Sequence, residues 1–154
     1  MNAKIYIMTF LLSFLTLACN KGGDNSEPIS NPIEFIEIGK GALYGAGDEG
    51  ISQSNMIITN MIDWVNLMSQ MNSVNNETDN FEETIINFDE FIVIAIFLEV
   101  KGSSWDVQVD SVIEKEYYIH VSTQETPGQL TVLTQPFHII KIPTTEKTII
   151  FEEN

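Results

Sequence analysis

The chain has 154 residues, enough for one domain with a single core, and 44% of them are hydrophobic. Its 22 acidic residues stand against seven lysines and no arginine, for a formal net charge of −15. Such a surface repels phosphate backbones and anionic headgroups, which excludes nucleic-acid binding and direct electrostatic adsorption to a membrane; the acids otherwise serve solubility.

At the N-terminus, Met1-Asn2-Ala3-Lys4 is a short positive segment and residues 5–17 are apolar. Thr16-Leu17-Ala18-Cys19 then places a small residue before the only cysteine. The apolar stretch is too short to span a bilayer as a helix and has the length of a secretory signal. The order of charged, apolar, small residue and Cys resembles a bacterial lipoprotein signal, with Thr16 where that pattern usually has Leu. The resemblance implies that residues 1–18 are removed and that Cys19 receives a diacylglyceryl group and becomes the new N-terminus. It further implies an outer-membrane location, facing the periplasm or the cell surface. An exposed free thiol would be a liability in an exported protein, whereas acyl chains contribute about 0.8 kcal/mol per buried CH₂ to anchoring. One cysteine permits no internal disulfide.

Residues 19–32 are rich in Gly, Ser, Asn and Pro and read as a solvated tether. Lys21, Asp24 and Glu27 in it resemble the charged segment of surface lipoproteins from Bacteroidetes-type bacteria.

Residues 33–154 read as one domain, with no repeat and no second linker. Glu34-Phe35-Ile36-Glu37-Ile38 alternates charge and apolar groups, as a half-buried strand does. Five glycines between 39 and 50 predict a loop or a run of tight turns. Met56-Ile57-Ile58 suggests a strand. Asn60 with Asp63 three residues on is a helix start, and Met61, Trp64, Val65, Met68 and Met71 share one helical face, read as core rather than as a ligand box. Residues 73–80 are polar and read as a loop. Residues 91–98 form an unbroken apolar run rich in β-branched and aromatic types, the mark of a central strand buried on both faces.

Residues 105–112 alternate cleanly, with Trp105, Val107, Val109 and Ser111 on one side. Strands over 117–123, 137–142 and 148–151 complete the set, and the short connections between elements suggest antiparallel pairing. The expected architecture is α+β, mainly β: a small antiparallel sheet or sandwich domain with one amphipathic helix.

Read in order, several segments resemble the C-terminal domain of the PrcB-like protease complex subunit family, over about residues 35–151. They are Asp63-Trp64-Val65-Asn66-Leu67, Ile86-Asn87-Phe88-Asp89 with the apolar run after it, Gly102-Ser103-Ser104-Trp105-Asp106-Val107-Gln108-Val109, and Thr134-Gln135-Pro136-Phe137-His138-Ile139-Ile140-Lys141-Ile142-Pro143. The family turn reads Thr-Gly-Gly-Tyr; here Gly102 is kept, two serines follow, and Trp105 takes the aromatic place. The resemblance implies partnership with an exported peptidase, not peptidase activity.

No catalytic constellation is legible. Cys19 is taken by the anchor, His120 and His138 lie among apolar strand residues, and no serine sits in a Gly-x-Ser-x-Gly elbow. Zinc-ligand spacings and phosphate-cradling loops are absent from the sequence. Gly45-Ala46-Gly47-Asp48-Glu49-Gly50 lacks the amphipathic helix that a dinucleotide motif needs, and Asp48 and Glu49 are read as solvated loop acids rather than as part of a metal site. Asn76-Glu77-Thr78 and Asp110-Ser111-Val112 fit short glycosylation patterns that carry little weight.

The expectation is therefore a non-enzymatic, membrane-anchored interaction module with no cofactor and no metal. Its candidate partner contacts are Tyr44 in the glycine loop and Trp105 in the turn before the alternating strand, because aromatic side chains beside Gly and Ser make good binding anchors. The alternative is a peptidase inhibitor-like β domain acting through an aromatic loop.

Overall fold

The computed structural model describes residues 30–102 and 104–153; the signal, Cys19 and the tether up to residue 29 lie outside the described residues. The architecture is mainly β, two four-stranded sheets packed face to face with one helix on the outer side of the second sheet. The first sheet has β1 (Ser30–Pro32), β5 (Asp106–Lys115), β6 (Tyr118–Thr126) and β8 (Thr148–Glu153), in that order. The second is ordered β2 (Ile36–Leu43), β7 (Gln135–Pro143), β4 (Phe91–Phe97) and β3 (Ser54–Ile58). Helix α1 spans Met61–Met71.

The apolar run centred on β4 explains the layering. Successive side chains of a strand point to opposite faces. Val93, Ala95 and Phe97 enter a core with Trp64, Leu67 and Met71 of the helix. Ile92, Ile94 and Ile96 enter a second core with Val107, Val109, Val112, Ile119 and Val121 of the first sheet. Strand β7 divides in the same way, with Ile139 on the helix side and Ile140 and Ile142 on the sheet side. A strand covered on both faces needs apolar residues at every position, which is why alternation is missing from 91–98.

The helix begins where expected. The Asn60 side chain accepts the Asp63 N–H at 3.0 Å and donates to the Asp63 carboxylate at 2.7 Å. Its buried face is rotated from the expected stripe: Trp64, Leu67 and Met71 are buried, whereas Met61 and Val65 are exposed. At about 100° per residue, Trp64, Leu67 and Met71 centre the contact and leave Met61 and Val65 outside it. Trp64 stacks on Phe81 at 6.1 Å and donates its indole N–H to the Thr84 carbonyl at 2.8 Å. Residues 73–80 include a 3-10 helix, Glu77–Asn80, fastened by a reciprocal pair of bonds between Asn72 and Thr78.

Four further expectations are corrected. Ser30–Pro32, read as tether, pair with β5 as strand β1. Gly39 and Gly41 are not loop residues but lie inside β2, and at Gly39 the Phe81 ring occupies the space of the missing side chain. A Cβ on Gly39 would lie 2.4 Å from the Phe81 ring, and one on Gly41 3.5 Å from Phe137. In β5 a bulge between Val109 and Ser111 resets the alternation, so Val112, not Ser111, follows Val109 into the core. Finally, β6 and β8 pair in parallel. The chain passes from β6 to β7 in the other sheet and returns, so β8 lies beside β6 in the same direction.

The Phe81 contact makes Gly39 a steric test of the packing. Gly39→Ala should destabilise the protein by about 1–3 kcal/mol, read from urea denaturation midpoints, because the ring cannot stay where a methyl group must go. Gly41→Ala, which meets only ordinary contact distances, should cost clearly less.

Candidate functional site

The register of the strands gathers three connections at one end of the sandwich. Strand β2 ends at Leu43 opposite Gln135, the first residue of β7, and Phe97 at the end of β4 lies opposite Phe137. Strand β5 begins at Asp106 opposite Thr126, the last residue of β6. The 44–53, 98–105 and 127–134 connections therefore share this end.

Gln135 ties them together. It is buried, and its side-chain amide donates to the Ile51 carbonyl at 2.9 Å and to the Leu98 carbonyl at 2.8 Å. Next to it, Thr134 and Lys101 exchange backbone bonds at 2.8 and 3.0 Å. The Lys101 ammonium pairs with Glu125 and sits 4.3 Å from the centre of the Trp105 ring. The Ser104 hydroxyl accepts the Leu130 N–H at 3.3 Å.

The two sequence-derived contact residues differ in their setting. Tyr44 is 62% exposed and lines an open cleft of about 260 Å³ together with Lys40, Glu77, Asn80, Phe81 and Phe137. Trp105 is half-buried beneath Lys101. Two residues not singled out from the sequence, Leu130 and Leu133, are 66% and 57% exposed on the 127–134 connection. Another group of exposed apolar side chains, Met61, Ile62 and Val65, lies on α1.

The 45–50 loop is more ordered than its glycines suggest. The Asp48 N–H bonds the Gly45 carbonyl, the Gly50 N–H bonds the Gly47 carbonyl, and the Gln70 amide bonds the Gly50 carbonyl, all at 2.9 Å. Gly47 and Gly50 have φ of 99° and 70°, where a side chain would be strained. Asp48 is solvated as expected, but Glu49 is only 3% exposed. It folds back under its own loop, where the Gly45 N–H donates to Oε1 at 2.8 Å. Burial raises the Glu77 carboxyl above its ordinary range, and the nearby Glu49 charge adds to the shift.

The histidines occupy structural positions on different sheets. His120 meets Glu152 at 2.7 Å on the first sheet. His138 is 3% exposed between the sheets: its Nδ1 accepts the Val109 N–H at 2.7 Å, and its Nε2 lies 3.0 Å from Glu37. Nδ1 accepts, so the neutral ring carries its proton on Nε2 and donates it to Glu37. Both ring nitrogens are thereby engaged, and His138 latches β7 to β5 at its bulge. Among the described residues no group of three or more His, Cys, Asp or Glu converges on a metal-sized point, and no helix is long and apolar enough to cross a membrane.

Comparison with protein-family models, with curated proteins and with solved structures finds no match to this chain.

The latch has a pH signature. Burial, opposed by Glu37 and Asp106 and aided by Lys40, lowers the His138 pKa from its ordinary 6.5. The unfolded chain then binds the proton more readily, so stability is full above 6.5 and falls as pH drops through the window below it. Protonation would also set an Nδ1–H against the Val109 N–H. From about pH 7.5 to 5.5 the wild type should lose more stability in urea melts than His138→Gln; equal losses would contradict the latch. Removing the acceptor with His138→Val should cost about 1–3 kcal/mol at neutral pH.

Proposed function

We propose that this chain is a lipid-anchored, non-catalytic docking module of the bacterial envelope that serves an exported peptidase as an accessory subunit. Three large apolar side chains, Tyr44, Leu130 and Leu133, stand exposed at one end of the sandwich, and this observation carries the docking reading. Exposed apolar groups on a rigid frame supply the anchors on which protein interfaces concentrate their energy. The peptidase as partner rests on the sequence resemblance to PrcB-like subunits. The membrane attachment rests on the N-terminal signal and Cys19.

Site-specific photocrosslinking tests the docking surface. A benzoylphenylalanine in place of Tyr44 or Leu133, in the full chain in native membranes, should yield a discrete adduct containing an exported peptidase. The same probe at Tyr117, exposed in the β5–β6 turn at the opposite end, should yield none. No adduct from Tyr44 and Leu133, or equal adducts from Tyr117, contradicts the reading. The anchor has its own readout: Cys19→Ala should abolish metabolic labelling with palmitate and release the protein from the membrane fraction, whereas retained label would disprove lipidation at that residue.

Peptidase inhibition is a second reading, favoured by the internal bonds of the 45–50 loop, which pre-organise the segment that follows Tyr44. The purified chain would then block a peptidase at micromolar concentration, and Tyr44→Ala would relieve the block. A broad panel of exported peptidases left unaffected would eliminate it.

A further inference from the structure

We propose that the end of the sandwich opposite Tyr44 is a bilayer-contacting surface, on which Ile62, Ile85 and Tyr117 enter the headgroup region of the leaflet that holds the Cys19 anchor. The inference rests on the lipid-anchor reading of Cys19 and deepens it by fixing which end of the domain faces the membrane.

Ile85, Tyr117 and Ile62 are 83%, 78% and 74% exposed, the highest values for large apolar side chains among the described residues. A single exposed apolar side chain is ordinary on a protein surface. These three come from three separate segments that share one end of the fold. Tyr117 is in the β5–β6 turn. Glu114 and Ile119, which flank that turn, line one cleft with Pro143 and Thr144, so the turn of the first sheet lies beside the end of β7 in the second. Pro143 is opposite Phe91 at the start of β4, and the Thr144 N–H donates to the Glu90 carbonyl at 2.9 Å, which puts the segment leading into β4 at this end. Ile85 lies in that segment, and its neighbour Thr84 accepts the Trp64 indole N–H. Strand β3 ends at Ile58, opposite Val93 near the start of β4, so α1 also begins here. Side chains of a helix tilt toward its N-terminus, so Ile62 in the first turn leans out at this end.

The chain enters the domain at the same end. Ser30, the first residue of β1, is opposite Lys115, the last residue of β5. Cys19 is 11 residues earlier, and such a span reaches at most about 40 Å however it is arranged. The Tyr44 end is farther off by the ten residues of β5, a length of about 33 Å. Resting the Tyr44 end on the bilayer would draw the connection from Cys19 out almost fully. Resting the Tyr117 end there requires no such extension.

The contact is apolar, not electrostatic. Glu114, Glu116 and Glu146 sit at this end, the Lys147 ammonium is paired with Glu114, and the Lys115 ammonium donates to the Ser30 hydroxyl. Aliphatic side chains and tyrosine suit the boundary between headgroups and acyl chains, tyrosine because its ring is apolar and its hydroxyl stays wet. Three such contacts are too few to recruit a free protein. A covalent anchor holds this end at a high local concentration, so a weak contact suffices to orient the domain. Tyr44, Leu130 and Leu133 then point away from the bilayer, where a protein partner can reach them.

The test uses the lipidated protein, extracted from membranes and reconstituted into phosphatidylcholine vesicles, with an environment-sensitive fluorescent amino acid at one position at a time. Phosphatidylcholine brominated at its upper acyl carbons should quench probes replacing Ile62, Ile85 and Tyr117 about twofold or more beyond probes replacing Tyr44 and Leu133. With the probe in place of Tyr117, combined Ile62→Ser and Ile85→Ser should cut its quenching by about half or more, with vesicle flotation and circular dichroism unchanged. Both substitutions are at exposed positions, so the fold is not at stake. Equal quenching at all five positions, or none at 62, 85 and 117 in protein that floats with the vesicles, overturns the surface and leaves the anchor standing. A probe at 117 whose quenching ignores Ile62→Ser and Ile85→Ser also overturns it, because the probe alone then seeks the lipid. Protein that does not float overturns the anchor, and the surface with it.

Discussion

The burial of β4 and β7 on both faces is the constraint on which the rest of this structure depends. These two strands separate a helix-side core from a sheet-side core, so their residues are almost all apolar. Three polar side chains are admitted in β7, and each is used to hold something. Gln135 carries the two loops at the end of the sandwich, His138 latches the first sheet, and Lys141 pairs with Glu83 over the ring of Phe91. The layered core and the candidate site are therefore mechanically one unit: the loops around Tyr44 are bonded to the most deeply buried strand rather than hung from an edge.

The sequence made the core legible where one physical rule acted alone. The run through β4 could be read because two-sided burial leaves no room for alternation, and the helix start could be read because Asn60 and Asp63 satisfy a local need. It misled where a distant partner decided the outcome. Gly39 and Gly41 signal a turn by composition but lie in a strand, and Gly39 makes room for Phe81, which is remote in sequence. The bulge at Val109 frees an N–H for His138, and no pattern within β5 announces it. The helix face was misjudged because Val65 and Leu67 are equally apolar, and only the position of the sheet chooses between them.

The candidate site was partly legible. Tyr44 stands exposed as an aromatic beside glycines suggests, whereas Trp105 lies half under Lys101, whose role at this end the sequence did not signal. Gln135 carried a usable signal, since an amide at the head of an otherwise apolar strand must find partners inside the protein. Glu49 carried none: an acid among glycines reads as solvated, and only the fold turns it inward. Among the described residues the acids thus lie at the surface, in pairs with lysine or histidine, or, as Glu49 does, buried beneath their own loop.

Native-state hydrogen exchange tests the central claim most directly, because it measures the stability of each strand separately. If the two-faced pair is the keystone, the amides of β4 and β7 exchange only through global unfolding and are the slowest in the molecule, with β1 and the 127–134 connection among the fastest. Amides of β5 and β6 that outlast those of β4 and β7 would contradict the account, and would mean that the first sheet stands without the strands said to support it.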